Sequence, residues 1–142
     1  MQRHVLSVLV ENEPGVLSRV VGLFSGRGFN IDSLNVAPTL EDGVSLMKHL
    51  HKIVSVIKVM DFANTPAVER EMMFVKVQAE GPMRGEILRT VEIFRCKVVD
   101  VSCNEMTIEA TGDHGKLEAI ISLLQRFGIK ELARTGSVAM RR

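Results

Sequence analysis

Residues 10–38, VENEPGVLSRVVGLFSGRGFNIDSLNVAP, dictate strand end, turn, helix, stop and strand in that order, and this leaves few folds open. The apolar residues Val5 to Val10 form the strand that leads in. The chain turns through Glu11-Asn12-Glu13 and enters a helix at Pro14, where a missing N–H costs nothing because the first helical N–H groups have no partner. Leu17, Val20, Val21 and Phe24 follow at i, i+3, i+4 and i+7, a stripe that faces a core. Gly26 and Gly28 stop the helix, because glycine enters the left-handed cap conformation without a Cβ penalty. Phe29 to Val36 resumes as a strand.

The first turn of this helix is the candidate site. A helix start presents free N–H groups and a positive dipole end, so it can hold a carboxylate. Gly15 leaves that backbone open to close approach, and the Asn12 carboxamide offers a donor and an acceptor to a zwitterion. Asn30 opens the next strand and belongs near the far end of the same helix. The residues alone also admit a plainer reading, in which Pro14-Gly15 is turn chemistry and both asparagines satisfy nearby backbone.

The second half repeats the organisation. Glu71 to Ala79 is a strand with Met73, Val75 and Val77 on one face, broken by Gly81-Pro82. Arg84 to Arg95 reads as a helix with Ile87, Leu88, Val91 and Phe94 on one side. Lys97 to Val101 and Met106 to Ala110 are strands, and Asp113 is placed to cap a helix whose stripe is Leu117, Ile120, Ile121 and Leu124. Gly128 ends it, Ile129 to Arg134 is the last strand, and the basic tail from Gly136 is expected to be loose. The order is β-α-β-β-α-β, which is ferredoxin-like.

The first half starts the same cycle and runs short. Its segment from second to last strand is Asn30 to Ile53, nine residues fewer than the corresponding Lys97 to Ile129. Residues 1–62 therefore form a first domain short of part of its third strand and second helix, 63–68 a linker, and 69–142 a second domain. The fold class is α+β, two tandem ferredoxin-like domains.

Composition closes off several function classes. With no Trp and no Tyr only Phe provides aromatic area, which argues against platforms for stacking nucleic-acid bases, and a net charge of +1 argues against a dominant phosphate-binding surface. No apolar run reaches the roughly 20 residues that span a bilayer. Glu11-Asn12-Glu13 interrupts any signal-peptide layout, so a cytoplasmic location is expected. Cys96 and Cys103 lack C-x-x-C spacing and a companion histidine pair, which reads as two reduced structural thiols and no metal site. His4, His49, His51 and His114 show no spacing that assembles a triad. Gly112-Asp113-His114-Gly115-Lys116 opens a helix and could hold an anion, against the simpler reading of a capped helix start.

Glu11-Asn12-Glu13-Pro14-Gly15-Val16-Leu17 resembles the turn signature of ACT domains, small ferredoxin-like modules that bind amino acids as regulators. The longer run LSRVVGLFSGRGFNIDSLNVAP, with matches continuing through the second half, resembles the regulatory (small) subunits of acetolactate synthase, also called acetohydroxyacid synthase. That family pattern carries a longer insertion near Leu46 to Lys48, where a stretch is expected to be absent. The resemblance implies a non-catalytic subunit that activates a larger catalytic subunit of branched-chain amino-acid synthesis and confers feedback inhibition, with valine as the expected effector. It implies that the catalytic partner condenses two pyruvates, or pyruvate with 2-oxobutyrate, and carries the thiamine diphosphate, magnesium and FAD, with no cofactor in this chain. It also implies a homodimer paired through ACT domains. Carried onto matching positions, Gly15 and Val16 N–H groups hold the effector carboxylate, Asn12 and Asn30 bind its polar groups across the interface, and Leu17 and Ile31 line its side-chain pocket. Exposed charges such as Glu92, Arg95, Lys97 and Asp100 become candidates for the subunit contact. Two other classes stay open: a free-standing amino-acid-sensing regulator, and a small enzyme on a ferredoxin-like scaffold such as an acyl phosphatase.

Overall fold

Along Glu71 to Ala79 every second side chain is buried, the signature of a strand with one face on a core. The computed structural model describes residues 4–38 and 56–142. In chain order the elements are β1 (Leu6–Val10), α1 (Val16–Gly26), β2 (Val56–Asp61), β3 (Ala67–Gln78), α2 (Met83–Ile93), β4 (Lys97–Val101), β5 (Glu105–Gly112), α3 (His114–Leu124), a single 3-10 turn (Gln125–Phe127), β6 (Ile129–Arg134) and β7 (Val138–Arg141). They group into two units, one of Met1–Val68 with Ala139–Arg142 and one of Glu69–Val138.

The second unit carries the full β-α-β-β-α-β cycle, with strand order β4-β5-β3-β6 and antiparallel neighbours. Met73, Val75, Val77 and Ala79 of β3 and Met106, Ile108 and Ala110 of β5 form one buried layer. Ile87 and Val91 of α2 and Leu117, Ile120 and Leu124 of α3 close over it. Each fully buried aliphatic side chain contributes roughly 1.5–3 kcal/mol, so this layer carries the stability of the unit. Leu88 was expected on the core side of α2 and is instead 43% exposed. Successive helical residues are about 100° apart, and the core takes the direction shared by Ile87 and Val91, which turns Leu88 outward.

On the far face of the sheet, charges pair across strands: the Lys76 Nζ lies 3.1 Å from the Glu131 carboxylate, and Lys130 Nζ lies 2.6 Å from that of Glu105. The hydrogen bond from Lys130, with its charge, holds the Glu105 carboxyl below its ordinary range. Among the described residues one acidic group is buried. Glu71 is met by the Arg134 guanidinium, with Nε at 2.8 Å and Nη2 at 2.7 Å from Oε2, which supplies the charge-assisted pairing that a buried carboxylate requires.

α2 ends two residues earlier than the expected Arg95, in a Schellman motif. The Cys96 N–H donates to the Val91 carbonyl at 2.8 Å and the Arg95 N–H to that of Glu92 at 3.1 Å. Arg95 therefore occupies the left-handed position with φ of +53°, and it alone among the described residues does so without being glycine. The tail expected to be loose is β7, which pairs with β3, and the Arg142 N–H donates to the Pro66 carbonyl at 3.0 Å. β6 covers only Met73 to Val77 of a 12-residue strand, so the earlier ladder groups of β3 require another partner. Of the expected linker, Ala63 to Pro66 make a turn in which Thr65 N–H donates to the Phe62 carbonyl, while Ala67 and Val68 already belong to β3.

In the first unit β1 and β2 pair antiparallel, with Leu6 opposite Asp61. Phe29 to Val36, expected as a strand, is irregular. No described strand pairs with it, and the Asn30 amide hydrogen-bonds its own neighbour Asp32 at 3.0 Å, the local alternative that Asn and Asp offer to a ladder.

Two outcomes follow from these caps and pairs. Replacing Arg95 with glycine removes the left-handed penalty and should raise the stability of the second unit by about 1 kcal/mol, read as a shift of its denaturant midpoint. A lower midpoint would contradict the cap. Because the folded pKa of Glu105 lies below its ordinary 4.5, its stabilisation is present above pH 4.5 and disappears as pH falls through the folded value. The midpoint of native protein should therefore fall more steeply in that acid window than that of Glu105→Gln.

Candidate functional site

α1 begins two residues later than the expected Pro14. Gly15, not Pro14, borders the helix as its N-cap, with φ of +86°, a conformation that favours glycine, and Val16 is the first helical residue. The turn before it is closed by backbone: Glu13 N–H donates to the Glu11 carbonyl at 3.0 Å, and Val16 N–H to that of Glu13 at 3.4 Å. Val16 is buried and anchors this end, with Val20, Val21 and Phe24 half-buried behind it.

What the start of α1 lacks defines it. It has no side-chain cap and no acidic residue in its first turn, whereas α2 has Glu86 and α3 is capped by Asp113, whose carboxylate accepts from Lys116 N–H at 2.8 Å. Among the described residues nothing accepts from the N–H groups of Gly15, Leu17 or Ser18, and nothing pairs with the exposed Asn12 carboxamide. A Cβ built on Gly15 would meet no atom within 4 Å, so the approach to this backbone is open. Leu17, expected in the core stripe, is 46% exposed and stands beside the turn. A positive helix end with free donors, an unpartnered carboxamide and an apolar side chain is what a carboxylate-bearing apolar molecule requires.

Asn30 and Ile31 lie past the other end. α1 terminates in a second Schellman motif: Phe29 N–H donates to the Phe24 carbonyl and Gly28 N–H to that of Ser25, both at 3.1 Å, with Gly28 at φ of +78°. The Phe24 and Phe29 rings meet edge to face with centroids 6.4 Å apart, the apolar contact that accompanies this cap. That cap aims the chain into Asn30, whose Nδ2 donates to the Asp32 carboxylate at 3.0 Å. Eleven residues at 1.5 Å rise put about 16 Å between the two ends of α1. The six expected residues thus fall into two clusters, Asn12, Gly15, Val16 and Leu17 at one end and Asn30 and Ile31 at the other. Asp32 is an addition. The signal for it was an Asn followed two positions later by Asp, a spacing at which the two side chains can bond.

Among the described residues the remaining constellations carry no reactive arrangement. At Gly112-Asp113-His114-Gly115-Lys116 the Asp113 carboxylate fills the helix start and Lys116 Nζ donates to the Thr111 carbonyl at 2.8 Å, so the capped-start reading holds. His114 sits against Arg134, and His4 Nδ1 lies 3.1 Å from the Asp61 carboxylate. His49 and His51 lie outside the described residues. Cys96 and Cys103 are free thiols, and burial pushes the Cys96 thiol up, away from a reactive thiolate. Among the described residues no group of three or more His, Cys, Asp or Glu could hold a metal ion, and no helix is long and apolar enough to cross a membrane. Glu92, Arg95, Lys97 and Asp100 are all exposed.

Both halves of the chain are similar to known proteins. Residues 6–52 match the model of the AHAS small subunit-like ACT domain, and residues 70–142 that of the small subunit of acetolactate synthase. The acetolactate synthase small subunit of Aquifex aeolicus is 46% identical over 158 residues, covering 100% of this chain and 82% of its own. The probable acetolactate synthase small subunit of Archaeoglobus fulgidus is 46% identical over 153 residues, covering 97% of this chain and 96% of its own. The crystal structure of the small subunit from Thermotoga maritima superposes with a TM-score of 0.82 at 39% identity, covering 100% of this chain and 98% of that one. The Aquifex alignment is 158 positions long against a chain of 142, so about 16 of its positions have no counterpart here. The place expected for such a shortfall, near 46–48, lies outside the described residues. With family models over both halves and relatives near half identity along its length, the chain belongs to the acetolactate synthase small-subunit family, and its first half is an ACT domain of that family.

Proposed function

We propose that this chain is the regulatory subunit of an acetolactate synthase, raising the activity of a catalytic subunit and making it sensitive to a branched-chain amino acid, valine in the first place. The observation that carries the reading is the start of α1, where among the described residues the N–H groups of Gly15 and Leu17 and the Asn12 carboxamide have no partner. The effector carboxylate sits on that backbone, and its side chain lies against Leu17 and Ile31. Its ammonium lies only one carbon away from the carboxylate, whereas Asn30 is about a helix length away in the same chain. A second copy therefore supplies Asn30, and each effector lies between two α1 helices of a homodimer. Pairing of the ACT domains gives the exposed Leu17, Phe29 and Ile31 a partner surface.

Regulation then follows from linkage. The effector shifts activity by binding one state of the complex more tightly than another, and the catalytic subunit must bias the same equilibrium in return. Thiamine diphosphate, magnesium and FAD belong to that partner, which holds the condensation chemistry, while this chain holds the effector. A free-standing amino-acid sensor would share the same site and differ only in having no synthase to act on.

Calorimetric titration of the whole chain with valine, leucine and isoleucine tests this. Saturable binding is expected, with preferences of at most about 1–3 kcal/mol among ligands that differ by a methylene or its position. Gly15→Asp should abolish it, since that carboxylate blocks the backbone and repels the ligand. A folded chain that binds none of the three, or a Gly15→Asp variant that binds as well as the native chain, would overturn the reading.

A further inference from the structure

The Asn30–Asp32 pair has a polarity that fixes its role. An ionised carboxylate only accepts hydrogen bonds, so the Asn30 amide must present Nδ2 to Asp32, as it does at 3.0 Å, and turn Oδ1 away. Asn30 therefore faces a ligand as an acceptor, backed by a full negative charge, and both residues are exposed. At the other end of α1 the polarity is reversed, with bare N–H groups at the positive end of the helix dipole. The two clusters are matched to the two charges of a zwitterion.

We infer that Asp32, acting with Asn30, is the ammonium-recognising element of the effector site and makes it select an amino acid over the 2-oxo acid of the same carbon skeleton. This rests on the effector reading above and extends it to a residue and a chemical discrimination. An amino acid and its 2-oxo acid share the carboxylate and the side chain, so the Gly15 backbone and the Leu17 and Ile31 surfaces cannot tell them apart. They differ at one carbon, where one carries three charged N–H donors and the other a carbonyl oxygen. Facing Asn30 Oδ1 and Asp32, the ammonium makes charge-assisted hydrogen bonds, while the carbonyl oxygen meets two acceptors and a ligand of net negative charge is repelled by Asp32. An end-product sensor working among 2-oxo acid substrates and intermediates needs this repulsive element as much as the attractive one.

The test is calorimetric titration of the native chain, Asp32→Asn and Asp32→Glu with valine and with 3-methyl-2-oxobutanoate, its 2-oxo acid. The native chain should prefer valine. Asp32→Asn should weaken valine about tenfold or more without weakening the 2-oxo acid, so that the preference collapses. Asp32→Glu, which keeps the charge, should retain most of it. Unchanged valine affinity in Asp32→Asn, or an equal loss for both ligands, would overturn the inference while leaving the effector reading standing. A native chain that binds no branched-chain amino acid would instead overturn both.

Discussion

α1 is the element that sets the distance between the two clusters, and the effector reading depends on what stands at each of its ends. Eleven residues keep the ends about 16 Å apart. At the start, Gly15 in the left-handed region brings the chain into the helix with no side chain over the donors, and buried Val16 fixes the turn. At the finish, the Schellman motif and the Phe24–Phe29 contact set the direction in which Asn30 leaves. Under the proposed reading, a ligand whose two charges are bonded to one carbon reaches both chemistries only where a second copy brings its own α1 end alongside.

The two units show how the same strand-turn-helix device serves different ends. In the second unit the turn before α2 is filled by the protein itself. The Arg84 guanidinium donates to the carbonyls of Ala79, Ser102 and Cys103, and Glu86 stands in the first helical turn. Both helices of that unit bury their apolar faces on one sheet, and its buried Glu71 is held by Arg134. In the first unit no described residue fills the start of α1, and Leu17, Leu23 and Phe29 are exposed.

Much of this was legible in the sequence for simple reasons. Periodicity located the buried faces of β3 and α3, because a side chain every second or every third to fourth residue has one way to reach a core. The α3 cap at Asp113 and the stop at Gly28 were legible because each residue type has a specific backbone use. Other features depended on more than local pattern. Leu88 was misassigned because a helix one turn wide admits several apolar stripes, and only the packing of Ile87 and Val91 chooses among them. Arg95 was taken as helical because nothing in an arginine announces a left-handed residue. The strand expected at Phe29 to Val36 required a ladder partner, and β7 owes its order to the unpaired first half of β3, a consequence of strand lengths that no window of sequence contains. That Asn30 lies past the far end of α1 from Asn12 was legible as well, whereas its bond to Asp32 and the length of about 16 Å came only with the structure.

The central claim is that each effector site is completed by a second copy of the chain. Mixing Gly15→Asp chains, which keep Asn30, with Asn30→Ala chains, which keep Gly15, and titrating valine before and after subunit exchange tests it directly. Each variant alone should bind no effector, and the mixture should recover up to one site per mixed dimer, because one of its two interfaces joins an intact Gly15 turn to an intact Asn30. A mixture that stays as inactive as its components, with exchange confirmed by mass, would mean that each site lies within one chain and would contradict the account.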